Sequence, residues 1–220
     1  MKRRTLDVLF SVGGIALAGL LLVLGLVMTS NANFAKGYVT NQLSQQNIVF
    51  KTADTLTDEE KQSACVVQYA GQQLTTGKQA ECYANDFIGL HLKTTADGQT
   101  FADLGAPQSA LRTQVAAATK AGDPALADLQ KQLTDVTTQR ETLFKGETLR
   151  GLLLTSFGFS VFGVKGEQVA TVAYIVAALL ALLSIAGLVH AFKTPKDETF
   201  AAPEHTNDKA DDQPKLLVDI

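Results

Sequence analysis

Two stretches of 21 residues without a single charge stand near the ends of this chain, and they constrain it more than anything between them. Residues 8–28 read VLFSVGGIALAGLLLVLGLVM and residues 169–189 read VATVAYIVAALLALLSIAGLV. At about 1.5 Å per residue, each run makes a helix of roughly 30 Å, the hydrocarbon thickness of a bilayer. Inside lipid every backbone polar group must bond within its own segment, so both runs are expected to be transmembrane helices. The chain is therefore expected to be mainly α, with two spans flanking a small helical domain.

Charge sets the expected topology. Lys2, Arg3 and Arg4 precede the first run, and Lys193 and Lys196 follow the second. Positive-inside bias places both termini in the cytoplasm and the middle outside it. Residues 31–165 carry 12 basic and 13 acidic side chains, too balanced and too long to oppose that bias. The expected division is a cytoplasmic start (1–7), a first span (8–28), an extracytoplasmic domain (29–150), an apolar segment at the membrane surface (151–167), a second span (168–191) and a disordered cytoplasmic tail (192–220). A signal peptide cut after Ala32 is the competing expectation for the N-terminus, since Ser30 and Ala32 supply the small-residue pattern; against it, the apolar run exceeds the usual 7–15 residues. The net charge of −3, with no basic cluster past the fourth residue, excludes nucleic acid as an expected partner.

Small residues recur at four-residue spacing in both runs, Gly14 and Ala18 in the first and Ala173, Ala177 and Ala181 in the second. Such stripes let helices approach closely, against each other or against a partner's spans. The only cysteines are Cys65 and Cys82. On an oxidising face an even, small count reads as one disulfide, here stapling a helical hairpin.

Within the middle, Thr57-Asp58-Glu59-Glu60 has the form of a capping box, in which Glu60 returns to the cap; it is expected to open a helix through about Tyr69. Thr76-Gly77-Lys78-Gln79 repeats the signal and opens a second helix through about Leu90. Ile48-Val49-Phe50 is a strand or a docking point. Asp97-Gly98 is a turn signal, and residues 91–93 and 100–101 around it are expected to pair as a short β-ribbon. A helix over residues 106–121 ends at Gly122-Asp123-Pro124, where an Asp cap followed by Pro starts another. Leu126, Leu129, Leu133, Val136 and Leu143 then form a stripe expected to face the domain itself.

Residues 151–164 (GLLLTSFGFSVFGV) are the most unusual stretch. Fourteen nearly apolar residues are too few to span alone, and Lys165 and Glu167 separate them from the second run. A helix lying among the headgroups or against the base of the domain is expected, with lipid or a partner subunit covering Phe157, Phe159 and Phe162. Lys145, Glu147 and Arg150 are expected to anchor the base of the domain through headgroup or salt-bridge contacts.

No catalytic, cofactor or metal site is expected. The expected topology scatters His91, His190 and His205, whereas a metal centre needs at least three close ligands. No nucleophile elbow, phosphate loop or CxxC motif is present, and the carboxylates at 58–60 are ordinary helix-start chemistry.

The MKRR-type start, YAGQQLTTGKQAECYANDFIGLHL (residues 69–92) and LFKGETLRGLLLTSFGF (residues 143–159) resemble an uncharacterised family of actinobacterial two-pass membrane proteins. Some members carry the label of an aromatic ring-opening dioxygenase. That chemistry wants two His and a carboxylate together, which these histidines do not supply. The resemblance covers most of residues 1–190 and implies an actinobacterial plasma membrane. Proteins of similar size and topology occur as accessory subunits of the cytochrome bcc–aa3 respiratory supercomplex.

Three readings compete. The first is a non-catalytic accessory subunit whose partners are integral membrane proteins. The second is an extracytoplasmic sensor or lipid-binding module. The third is an envelope enzyme, which would require polar side chains converging on His91.

Overall fold

In a computed structural model, which describes residues 2–195, regular structure is helical throughout. Helix α1 runs Arg3–Gln45, α2 Ala64–Gln68, α3 Gly77–Cys82, α4 Gly89–Thr95, α5 Gly105–Ala121 and α6 Leu126–Lys193. Single 3₁₀ turns occupy Ala53–Thr55 and Glu60–Gln62, and a π-helical turn, Tyr83–Ile88, joins α3 to α4. Helices α1 and α6 are both long and apolar enough to cross a membrane. In each, only 17% of the most apolar 18-residue window is buried, where a core helix of a soluble protein would be mostly covered by its own chain. Neither helix breaks at the expected edges of the spans. Residues 151–167 continue α6 in both directions rather than forming an element of their own. The expected tail lies outside the described residues from position 196 onward, as do Lys196 and His205.

The chain divides into two compact units, one made of its two ends, up to Val23 and from Ala173, the other Leu24–Val172. The middle unit holds the main core. Its largest fully buried side chains are Phe50, Leu74, Glu60 and Val66. Phe50 seats the 48–50 segment: its amide donates to Gln72 O at 3.0 Å, Leu74 N donates to Ile48 O at 2.8 Å, and its ring stacks edge-on against Tyr83 at 5.1 Å. One isolated bridge, Val49 to Gln73, is the extent of this pairing.

Local signals explain most helix ends. Thr76 and Gln79 form a full capping box at the start of α3. Gly122, at φ 66°, closes α5 with its amide on Ala118 O, and the Asp123 carboxylate takes the Ala125 amide at 2.8 Å to open α6. The left-handed backbone at position 122 suits a residue without a Cβ.

Two expectations are corrected. The helix expected from residue 58 to Tyr69 is instead a 3₁₀ turn and then α2, divided at Ser63. The backbone of Ser63 is extended, and its hydroxyl recaps the chain by accepting from Val66 N at 3.3 Å. The expected β-ribbon does not form, and no strand occurs among the described residues, because residues 91–93 lie inside α4. The π turn carries the helix onward, and Thr94 and Thr95 donate their hydroxyls to His91 O. Asp97 and Gly98 both take positive φ, and Gly98 N bonds Lys93 O at 2.8 Å, so the Asp-Gly pair ends a helix rather than turning a hairpin. An Asp-Gly pair suits either task, since both need left-handed backbone.

Cys65 on α2 and Cys82 on α3 form a disulfide with a Cα–Cα distance of 6.0 Å. Closing a loop of 17 positions stabilises the domain by about 3 kcal/mol on the chain-entropy estimate.

Candidate functional site

The surface of α6 below the core is the feature that most needs explaining. In residues 151–164 the helix turns one face inward and leaves the other open. Leu153 is buried, and Phe157 faces its own domain, where Lys78 Nζ lies 5.1 Å from its ring centre. Gly77 packs so closely here that a Cβ on it would overlap Ser160 and sit 3.4 Å from Phe157 Cα. On the opposite face, Leu152 is 62% exposed, Phe159 51% and Phe162 76%. Helix α1 adds Phe34 and Tyr38, both exposed, with Tyr38 6.4 Å from Phe159 between ring centres. Of the three phenylalanines singled out in the sequence, one thus belongs to the domain and two to its open surface.

Beside this surface Tyr38, Val39 and Leu43 of α1 face Leu152, Leu153 and Phe159 of α6 across an apolar groove of about 320 Å³. Just beyond it the two helices close up. A Cβ on Gly163 would lie 3.3 Å from Ala32 O, Ala35 Cβ and Lys36 Cγ, and Gly166 faces Ala32. Lys36 pairs with Glu167 across the same junction. Sequence reading confined its small-residue stripes to the two apolar runs and missed this second close approach; Gly163 and Ala32 are its visible trace.

Within the unit formed by the two ends, Ala18, Ala173 and Ala177 are buried, and Ala181 is half-buried. A Cβ on Gly14 would overlap Ser184 Oγ, and one on Gly187 would overlap Ser11 Oγ. Asp7 Oδ2 meets His190 Nδ1 at 2.9 Å.

Among the described residues Glu60 is the one charged side chain of the core, with no exposed surface. Its Oε2 accepts from Thr57 N at 2.8 Å, while Thr57 Oγ1 accepts from Glu60 N at 3.2 Å, so the capping box forms on a 3₁₀ turn. Oε1 takes Lys51 Nζ at 2.7 Å and meets His91 Nε2 at 2.9 Å. Burial is the largest influence and pushes this carboxyl up; the bonds from Lys51, the Thr57 amide and His91 outweigh it and hold the carboxyl below the ordinary glutamate value. Tyr83 is pushed up, first by burial and then by the Glu60 charge. Sequence reading placed His91 in the expected β-ribbon, whereas it closes a three-residue polar hub with Glu60 and Lys51. Phe87 stacks edge-on against it at 4.7 Å. A carboxylate holding an imidazole can orient a base. Here every Glu60 oxygen is also committed to the domain's own fold.

Cys65, Cys82 and Asp86 place their ligand-type atoms within 4.8 Å of one another. Both sulfurs are tied in the disulfide, so the cluster offers no thiolate to a metal.

The expected cluster at the base of the domain separates into two. Arg150 and Glu147 meet at 3.3 Å, and Arg150 Nη2 donates to Asn85 Oδ1 at 3.2 Å. Lys145 instead pairs with Glu141 at 3.8 Å, one turn back on α6, and lines a different hollow with Phe101 and Arg140. Arg140 stacks over Phe101 at 4.1 Å and donates to Gln108 Oε1 at 2.7 Å, joining α5 to α6.

Compared with protein-family models, curated proteins and solved structures, the chain matches none.

Proposed function

We propose that this chain is a non-catalytic accessory or scaffolding subunit of a larger plasma-membrane complex, with both termini in the cytoplasm and the disulfide-bonded domain outside. The observation that carries the reading is the open apolar face of residues 151–164. A run of 21 uncharged residues, 169–189, already fills about 30 Å of hydrocarbon. The fourteen residues before Lys165 add about 21 Å of helix for which the bilayer core has no room. Phe159, Phe162, Leu152 and Phe34 are nevertheless exposed there, and contiguous apolar surface of this kind marks a protein or membrane contact. Aromatic side chains supply large contact area and are favoured at interfaces. The charge bias of the termini supports the orientation, and the disulfide suits an oxidising compartment.

The likeness of residues 69–92 and 143–159 to an actinobacterial membrane family directs the search for a partner toward the cytochrome bcc–aa3 respiratory supercomplex. Tagged protein is to be extracted from native membranes in mild detergent and its companions identified by mass spectrometry. A stoichiometric set of reductase or oxidase subunits is the expected result. A chain that purifies alone overturns the reading.

The apolar groove between Tyr38 and Phe159 supports a second reading, a sensor or lipid-binding module outside the cytoplasm. Its mark would be lipid retained by a chain that purifies without protein partners.

A further inference from the structure

A cleft of about 620 Å³ opens in the middle unit between α6 and the α4–α5 connection, lined by Asn85, Lys93, Gln99, Phe101, Glu147 and Arg150 among others. We propose that this cleft binds the carboxylate or phosphate group of a small organic anion through Arg150 and Lys93.

Arg150 is not satisfied by its own domain. Its Nε is buried with no hydrogen-bond partner. Its contacts to Glu147, at 3.3 and 3.4 Å, are long, since a well-formed guanidinium–carboxylate bond is about 2.7–2.9 Å, while its bond to Asn85 at 3.2 Å is of ordinary length. Because Nε has no accessible surface, an anion in the cleft would bond the Nη groups, whose bonds to Glu147 and Asn85 leave N–H donors spare. Lys93 brings a second positive charge, and among the described residues no carboxylate pairs with it. The lining therefore carries two cations against the single carboxylate of Glu147.

The other walls narrow the ligand class. Asn85 spends its carbonyl oxygen on Arg150 and keeps its amide N–H groups as donors. Thr100 is already committed to Asp103 through its amide and hydroxyl, so it adds shape rather than donors. Leu92, Leu143 and Phe101 give the cleft an apolar side. An anion with a compact apolar body fits this combination better than a bare inorganic ion. The same chemistry could arrive as a free solute or as a lipid headgroup. The proposal does not depend on the accessory-subunit reading.

The test uses the full chain in neutral detergent micelles, labelled with ¹⁵N-arginine, with the Arg150 side-chain Nε–H signal identified by its loss in Arg150→Gln. Benzoate and inorganic phosphate are titrated as free anions. Phosphatidylglycerol is added to separate micelles, with phosphatidylcholine as the neutral control. A saturable shift of the Arg150 signal is expected, with benzoate binding more tightly than phosphate. Glu147→Gln, which removes the competing carboxylate, should tighten benzoate binding, and Lys93→Ala should weaken it by about tenfold, the equivalent of one charge-assisted bond. A shift with phosphatidylglycerol that benzoate reverses assigns the site to a lipid headgroup; a shift with benzoate alone assigns it to a solute. Absence of a saturable shift with all three anions overturns the proposal, as does equal binding by Glu147→Gln, Lys93→Ala and the parent chain.

Discussion

Glu60 Oε1 and His91 Nε2 lie 2.9 Å apart across 31 positions of sequence. Lys51 Nζ reaches the same oxygen at 2.7 Å. A carboxylate with no exposed surface persists because both of its oxygens are occupied, one by two side chains and the other by the Thr57 amide. The hub ties the segment after α1 to α4 and gives the small domain an electrostatic joint inside its apolar core.

The first prediction concerns acid. The Glu60 carboxyl is held below its ordinary value in the folded chain, so its contribution to stability is complete above that value. It is lost as pH falls through the lowered one. Melting of the full chain in detergent, followed by circular dichroism from about pH 7 to about pH 3, should show stability falling over that window. Glu60→Gln should flatten the acid limb. Glu60→Ala should destabilise the domain at neutral pH by about 1–3 kcal/mol, the cost of leaving the donors it satisfies unpaired. An unchanged acid limb in Glu60→Gln would show that other carboxylates govern the transition.

Gly77 on α3 sits directly against α6. An added Cβ would overlap the Ser160 side chain and crowd Phe157 Cα at 3.4 Å. Rotating the Ser160 hydroxyl does not clear Ser160 Cβ, so Gly77→Ala should destabilise the domain by about 1–3 kcal/mol. Combining it with Ser160→Gly should recover part of that loss, a coupling that a double-mutant cycle measures. Additive effects would contradict the close approach.

Gly13 and Gly14 are neighbours with different surroundings. A Cβ on Gly13 meets nothing within 4 Å, whereas one on Gly14 runs into Ser184 Oγ. Cysteines placed by Ser11→Cys and Gly187→Cys, on a background lacking the native pair, should cross-link under mild oxidation. Adding Gly14→Leu should reduce the cross-link strongly, and Gly13→Leu should leave it intact. Equal yields from the two leucine variants would refute the packing of these helix ends.

Phe162 is 76% exposed, so replacing it should alter association rather than folding. Phe162→Glu is expected to keep the domain's stability within about 0.5 kcal/mol of the parent, as for most surface changes. If the proposed accessory role holds, it should also release the membrane subunits expected to co-purify. Retention of those partners by Phe162→Glu and by Phe159→Glu alike would remove the open face of α6 as the contact.

Much of this architecture is legible in the chain itself. Two uncharged runs of bilayer length, the capping sequences at Thr57, Thr76 and Asp123, and the glycine at position 122 act through neighbouring residues or through the solvent. Their consequences are therefore written locally. Tertiary structure decided which of several locally permitted outcomes prevailed. Asp97-Gly98 could turn a hairpin or end a helix, and the π turn before α4 brought it to a helix end. Phe157, Phe159 and Phe162 look alike in sequence, but only the first faces α3. Lys145 and Arg150 stand near each other along the chain, yet α6 gives them different neighbours, Glu141 for one and Asn85 with Glu147 for the other. Glu60 is a capping residue by local pattern, and it became the centre of a buried hub only when residues 51 and 91 were folded against it. Hydrogen bonds within a turn depend on a few adjacent residues, whereas burial and charge pairing depend on which distant surfaces meet.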